Sequence, residues 1–327
     1  MENGQAARGS SLQEALLLLK KAYENLKASD IVTACELLEQ ALNIDFENNE
    51  VKHALKCVNW WLQHTRRIDE IKNPFEKGSL LISLFKQYYV FLGQLNERSH
   101  DTSGEFDQCQ YAVRFFVYSK ALFFFEGLLS APANQHDPGL LFLVGRCYKG
   151  IGNYDESLDY LEKAIRIKKE DAEILAEVAD VNALLSNVKP AKTLFREAFF
   201  IDPAKIDLRF MESALIIKLR EKVLEMGYAE NQAAEWIPVY GYLWGVFTVK
   251  RELKQMEAGR LKQSIFSLEA EYESSPARRE IIKPRLINHY FWLIDHYEMN
   301  REDSSLIEET LLKIKVTDPD IYNMYTG

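Results

Sequence analysis

The chain has 327 residues, more than one small domain needs, and a length that a single elongated repeat array also fills. Its hydrophobic fraction of 47% and charged fraction of 27% are those of a folded soluble protein. A net charge of −9 and a pI near 5.4 argue against a general nucleic-acid binder, which needs a dominant basic face.

In chain order, residues 1–10 are small and polar and read as a disordered tail. Ser11 and Glu14 have the spacing of a capping box and open a helix whose apolar face runs through Leu12, Ala15, Leu16, Leu19, Ala22, Tyr23 and Leu26. Ser29 and Asp30 make a turn, and Ala34, Leu38, Ala41 and Ile44 mark a second helix. Residues 49–136 are helical in pattern without a clean repeat. Asn73-Pro74 breaks them once, and residues 96–105 form a polar loop in which Thr102 and Glu105 have capping-box spacing again.

Residues 106–129 are the most aromatic helix. Tyr111, Phe115, Tyr118, Leu122 and Phe125 share one stripe, while Phe116, Phe123 and Phe124 take other faces. A helix that is apolar nearly all round is buried in a core or against a partner. Aromatics at helical spacing point first to a core. The alternative is an association face built from Phe115, Tyr118 and Phe125, with Phe291 and Trp292 near the C-terminus.

Asp137-Pro138 supplies an N-cap and a proline at the first helical position. Gly145 is small where two helices cross, Tyr148 packs the pair, and Gly150, Gly152 and Asn153 form the turn into a second helix over 154–167. The pattern then returns at a period of 34 residues. Leu141, Val144, Gly145 and Tyr148 recur as Leu175, Val178, Ala179 and Asn182, and Ser157, Leu161, Ala164 and Ile167 recur as Ala191, Phe195, Ala198 and Ile201. Asp202-Pro203 is placed to cap the next helix.

The regularity decays beyond that point. Helices are expected over 206–224, 260–272, 286–297 and 306–314, with a turn region at 226–235, an aromatic segment at 238–254 and breaks at Ser274-Ser275-Pro276 and Asp318-Pro319. Almost every proline sits at a helix start or in a linker, and no strand pattern recurs. The organisation read from these signals is a tail at 1–10, a degenerate repeat with further helices at 11–136, the regular repeats with a following helix at 137–225, and degenerate helical repeats at 226–327.

The small, aromatic and alanine positions at 138–205 resemble the tetratricopeptide repeat, a helix–turn–helix that cannot bury its apolar face alone and must stack. Weaker copies at 15–48, 239–278 and 288–321 extend the resemblance to about half the chain. The second regular copy departs from the consensus at Asn182 and lacks glycine at Ser186. The resemblance implies an all-α fold, a right-handed α-α superhelix of solenoid type with irregular helical insertions. It also implies a non-enzymatic scaffold or adaptor that holds a peptide or helix in a groove lined by the first helix of each pair. Phe142, Arg146, Lys149, Ala176, Asp180 and Ala183 occupy groove positions, with Glu173 beside them. Co-chaperone members of the family clamp a peptide carboxylate there with basic and amide side chains. Only Arg146 and Lys149 have that sign, and Glu173 and Asp180 oppose them, so a mixed-charge or apolar peptide fits better. Two alternatives are a structural subunit of a larger assembly, including a homo-oligomer, and a small-ligand-binding protein whose pocket lies near Trp60 and Trp61.

Other chemistry has little support in the sequence. Cys35, Cys57, Cys109 and Cys147 include no C-x-x-C pair and read as buried thiols in a reducing compartment, with structural zinc or a disulfide as lesser readings. Among His53, His64, His100, His136, His289 and His296, no two are three or four apart, so no helical histidine pair shares an ion and no metal or cofactor is expected. His289 and His296 can share a face with Asp295, where a structural role is the simpler one. Gly150-Ile151-Gly152 is explained by the repeat turn, not by a phosphate loop, and no G-x-S-x-G elbow occurs. The basic residues Lys163, Arg166, Lys168 and Lys169 follow acidic ones along a helix, in the order that suits its dipole. Arg278, Arg279, Lys283 and Arg285 flank two prolines, where solvation or an acidic partner would suit them. No secretory signal, N-x-S/T site or membrane-length apolar run is visible, which makes a cytoplasmic protein the economical expectation.

Overall fold

The computed structural model describes the backbone of residues 2–98 and 106–327 and the side chains of 11–95 and 106–327. Among these residues it has fifteen α-helices, four short 3-10 turns and no strand: an all-α fold of tetratricopeptide-like helical repeats. The chain divides into two compact units, residues 1–164 and 165–327.

The first unit contains α1 (Glu2–Lys27), α2 (Ile31–Ile44), α3 (Asn49–Glu70), α4 (Pro74–Arg98), α5 (Asp107–Leu129), α6 (Pro138–Ile151) and most of α7 (Tyr154–Ile167). Side-chain caps define several starts. Asp30 accepts from the Thr33 N–H at 3.0 Å, Asn48 from Val51 at 3.1 Å and Asp137 from Leu140 at 2.9 Å, each meeting a donor the helix leaves unpaired. The Ser11–Glu14 pair does not open a helix. α1 is already running from Glu2 and takes in most of the segment expected to be a tail. The Thr102–Glu105 pair lies outside the described residues.

The helix α5 is central to this unit and packs on α1, α4 and α6. Part of its aromatic surplus is core. Phe116 and Phe125 are fully buried, in company with Trp61 and Tyr88. Tyr118 presses its ring against Gly150 of α6, where a Cβ would lie 2.2 Å from the ring. Gly150 is therefore a packing glycine inside α6. The turn belongs to Gly152, which alone of the two has a left-handed backbone, with φ 90°.

The second unit contains α8 (Ala172–Leu184), α9 (Val188–Ile201), α10 (Ala214–Glu225), α11 (Glu230–Leu243), α12 (Gln255–Ser274), α13 (Arg279–Asn300), α14 (Ser304–Thr317) and α15 (Pro319–Thr326). Helices α8 and α9, α10 and α11, and α12 and α13 pack as sequential pairs, and α13 also meets α9, α11 and α14. Phe195, Phe199, Phe247 and Phe291 are fully buried between them.

Several expectations are corrected here. Asp202 accepts from the Ala204 N–H at 3.2 Å and caps only a 3-10 turn at 203–205, so the next α-helix waits until Ala214. Pro238 and Pro284 lie inside α11 and α13. Each removes one backbone donor, yet both side chains are buried, and packing holds the helix together around them.

Candidate functional site

The crossing of α6 and α7 is set by one small residue and one hydroxyl. A Cβ on Gly145 would meet Leu161 Cγ at 2.7 Å, so glycine permits the close approach. Ser157, fully buried on α7, donates its hydroxyl to the Gly145 carbonyl at 2.7 Å. Tyr148 stacks on Tyr160, 5.5 Å between centroids and 12° from parallel, and donates to Glu126 at 2.5 Å. Asp137, Gly145, Tyr148 and Gly152 thus do at the atomic level what their spacing announces. Residues 138–171 match the tetratricopeptide repeat family. The chain therefore carries a tetratricopeptide-type repeat at 138–171. No curated protein matches it. Repeats of this type generally serve protein–protein interaction.

The groove positions of the repeat are not an open surface. Phe142, Arg146 and Lys149 on α6 are buried, with Lys149 only 1% exposed. Ala176 and Asp180 on α8 are buried too, and Ala183 is half-buried. The causes are local. Arg146 stacks on the Phe142 ring with its guanidinium carbon 4.3 Å from the centroid, and α5 and α7 cover α6. Asp180 accepts hydrogen bonds from the backbone N–H groups of Glu212 at 2.8 Å and Ser213 at 2.9 Å, so the chain leading into α10 lies against α8. Repeat register identifies the inner face of a first helix but not what rests on it.

Tyr118, Phe125, Phe291 and Trp292 are buried within the single chain, and Phe115 is half-buried. The α5 aromatics left outside are Tyr111 and Phe123, the latter 74% exposed and beside Phe124. The basic clusters are largely neutralised by the chain's own acids. Lys163 pairs with Asp159 and Lys168 with Asp171. Arg278 pairs with Glu271, Lys283 with Asp318, and Arg285 with Glu235 and Asp202. His289 and His296 do not share an ion with Asp295. The His289 Nδ1 donates to the Arg285 carbonyl at 2.7 Å, His296 contacts Asn300, and Asp295 serves Arg196, Tyr242 and Lys250. Trp60 and Trp61 sit in an aromatic cluster with Tyr88, and Trp61 is fully buried.

One open cleft of the first unit lies between α1 and α5. A cavity of about 670 Å³ is lined by Leu16, Leu19 and Tyr23 of α1 and by Tyr111 and Ala112 of α5, with Lys20 and Lys27 facing Glu24, Glu50 and Asp107 at its rim. Leu16 is 47% exposed, although it belongs to the apolar stripe of α1. Among the described residues no helix is long and apolar enough to cross a membrane.

Beneath that cavity is a cluster built from neither a histidine pair nor a C-x-x-C motif. His53 and Cys57 stand four apart on α3, hence on one helical face. Cys109, in the first turn of α5, meets them across the helix–helix contact. One ring nitrogen of His53 and the two sulfurs lie within 4.8 Å of one another, all buried. His53 stacks flat on Phe106, with centroids 3.9 Å apart. Hydrogen bonding with Cys109, and then the nearby His53, draw Cys57 below the usual thiol range, while hydrogen bonding with Cys57 and burial push Cys109 up. Tyr23 connects cavity and cluster. It lines the cavity, donates to Glu50 at 3.1 Å, and is held protonated by burial and by the nearby Cys109. The one signal of this cluster that is readable in the sequence is H-x-x-x-C at 53–57.

Proposed function

We propose that the chain is a non-enzymatic scaffold that seats an apolar, mixed-charge peptide or helix in the cleft between α1 and α5. The observation that carries this reading is the cleft itself, an open apolar floor rimmed by both charge signs on the first helix of the degenerate repeat. Such a surface favours a partner with an apolar anchor and flanking charges over a bare carboxylate tail. Four free, buried cysteines suit a reducing compartment and support a cytoplasmic location.

A photo-crosslinking residue placed at Leu16 tests the site in the native cell, with the same residue at the exposed Val316 as control. The expected result is a discrete adduct from position 16 only, lost when Leu19 is changed to Glu. Equal labelling from both positions, or none from position 16, would sink the reading.

A second reading, a subunit of a homo-oligomer, is favoured by the exposed Phe123 and by Phe75, which is 45% exposed. Light scattering should then show a concentration-dependent oligomer that Phe123→Ser dissociates. A strict monomer counts against it.

A further inference from the structure

We propose that His53, Cys57 and Cys109 form a binding site for a thiophilic closed-shell metal ion, with Zn²⁺ the ion the site favours. Three observations converge. The first is the donor set. One imidazole nitrogen and two sulfurs gather within 4.8 Å, from two different helices, and all three residues are buried. A tetrahedral ion with sulfur at about 2.3 Å needs the two sulfurs about 3.8 Å apart, which small side-chain movements supply from that separation. Sulfur and imidazole donors select zinc or copper over calcium or magnesium.

The second observation is the polar atom left over. His53 is 6% exposed, and its Nε2 has no hydrogen-bond partner. The Tyr88 hydroxyl, on a side chain 1% exposed, has the sulfurs of Cys57 and Cys109 as its polar neighbours. A core that only packs thiols has no use for a buried imidazole with an unmet valence. A cation at the cluster would use the ring as a ligand, and the Tyr88 oxygen is the candidate fourth donor.

The third is access. Tyr23 lines the open cavity between α1 and α5 and stands next to Cys109, so a hydrated ion reaching the cavity is separated from the sulfurs by one side chain. Charge then chooses the ion. Two thiolates and a neutral imidazole carry −2, and Zn²⁺ brings the site to zero. Cu⁺ would leave a net −1 in a pocket where Cys57 and Cys109 are both fully buried, and an uncompensated buried charge is costly. Binding is coordination alone. Two S–H protons leave to solvent, two metal–sulfur bonds and one metal–nitrogen bond form, and nothing is oxidised or reduced.

The test uses the full chain, purified reduced and metal-free. Co²⁺ reports thiolate ligation through a ligand-to-metal charge-transfer band, and Zn²⁺ should displace it at one ion per chain. Cys57→Ser and Cys109→Ser should each lower affinity at least about 100-fold and remove or halve the band. Cys35→Ser and Cys147→Ser should leave it unchanged. Circular dichroism checks that the variants fold. If a Cys57 or Cys109 variant does not, the wild-type chain decides the matter: Zn²⁺ should shield two of its four cysteines from a thiol reagent. No Co²⁺ or Zn²⁺ uptake by the folded wild-type chain overturns the proposal, as does a Cys57–Cys109 disulfide found by mass in chain isolated under argon. Metal analysis of chain from its native cell separates the ions. Zinc supports the assignment, and copper in its place overturns the choice of Zn²⁺.

Discussion

Gly152 and Ser186, 34 residues apart in sequence, hold the same left-handed turn. Their φ angles are 90° and 64°. The hydrogen bonds around them match as well. Gly152 N–H donates to the Lys149 carbonyl at 2.9 Å and Ser186 N–H to Ala183 at 3.1 Å; the next residues, Asn153 and Asn187, reach back to Tyr148 at 2.9 Å and Asn182 at 2.8 Å. The second repeat thus keeps the turn of the first without its glycine.

Ser186→Gly should therefore stabilise the chain. An L-residue in this region costs roughly 1–2 kcal/mol, and the extra chain entropy of glycine returns about 0.5–1 of it. Ser186 is exposed, so few contacts are lost. The expected gain is about 0.5–1 kcal/mol, read as a raised urea midpoint at unchanged slope. A lowered midpoint would show that the serine side chain contributes more than its backbone strain removes.

The aromatic segment at 244–254 has no helix to hold it and is tied down by charge. Arg196 of α9 pairs with Asp295 of α13, each 3% exposed, and its other nitrogen donates to the Val249 carbonyl at 2.8 Å. Tyr242 donates to the same carboxylate at 3.0 Å, and the Arg196 guanidinium stacks on Trp292, 4.4 Å from the centroid. Asp295→Ala strands a buried cation and should cost about 3–5 kcal/mol. Replacing both partners, as Arg196→Met with Asp295→Leu, should recover most of that loss, because the uncompensated charge disappears. Thermal unfolding of the single and double variants checks the pair, and additive losses would contradict it.

His289 gives the second unit a defined acid response. Burial and the adjacent Arg285 guanidinium lower its pKa to about 4 from an ordinary 6.5, against the opposing pull of the Arg285 carbonyl. Between those values the unfolded chain binds a proton that the native chain refuses, so stability rises with pH across that window and is lost as pH falls through it. The contribution is on the order of 2 kcal/mol. His289→Gln keeps a donor for the carbonyl and removes the titration. Its stability should fall less than that of wild type between pH 6.5 and 4, and parallel curves would rule the mechanism out.

Much of the repeat was legible because its signals are local. Asp137 caps, Pro138 starts, Gly145 admits Leu161 and Gly152 turns, and each needs only neighbours within one helical hairpin. What sequence could not supply was who covers whom. Gly150 reads as a turn residue until Tyr118 of α5 is placed on it. Phe142, Arg146 and Lys149 have groove register yet are buried. The cysteine cluster shows both sides. His53 and Cys57 are a visible helical pair, but Cys109 joins them only because α5 packs close to α3, and no spacing rule connects residues that far apart.

Asp180 separates a structural carboxylate from a partner contact. Both its oxygens accept backbone N–H groups, from Glu212 and Ser213, just before α10 begins. Asp180→Asn keeps the shape but replaces one acceptor with a donor aimed at a donor, which should cost about 1–3 kcal/mol. Hydrogen exchange should rise first at Glu212 and Ser213 and then through α10, because the bonds being lost fix that entry into the helix. A groove contact would behave differently: partner capture would fall while the melting temperature and the protection of α10 stayed as in the wild type. Observing that second pattern would return Asp180 to the binding surface.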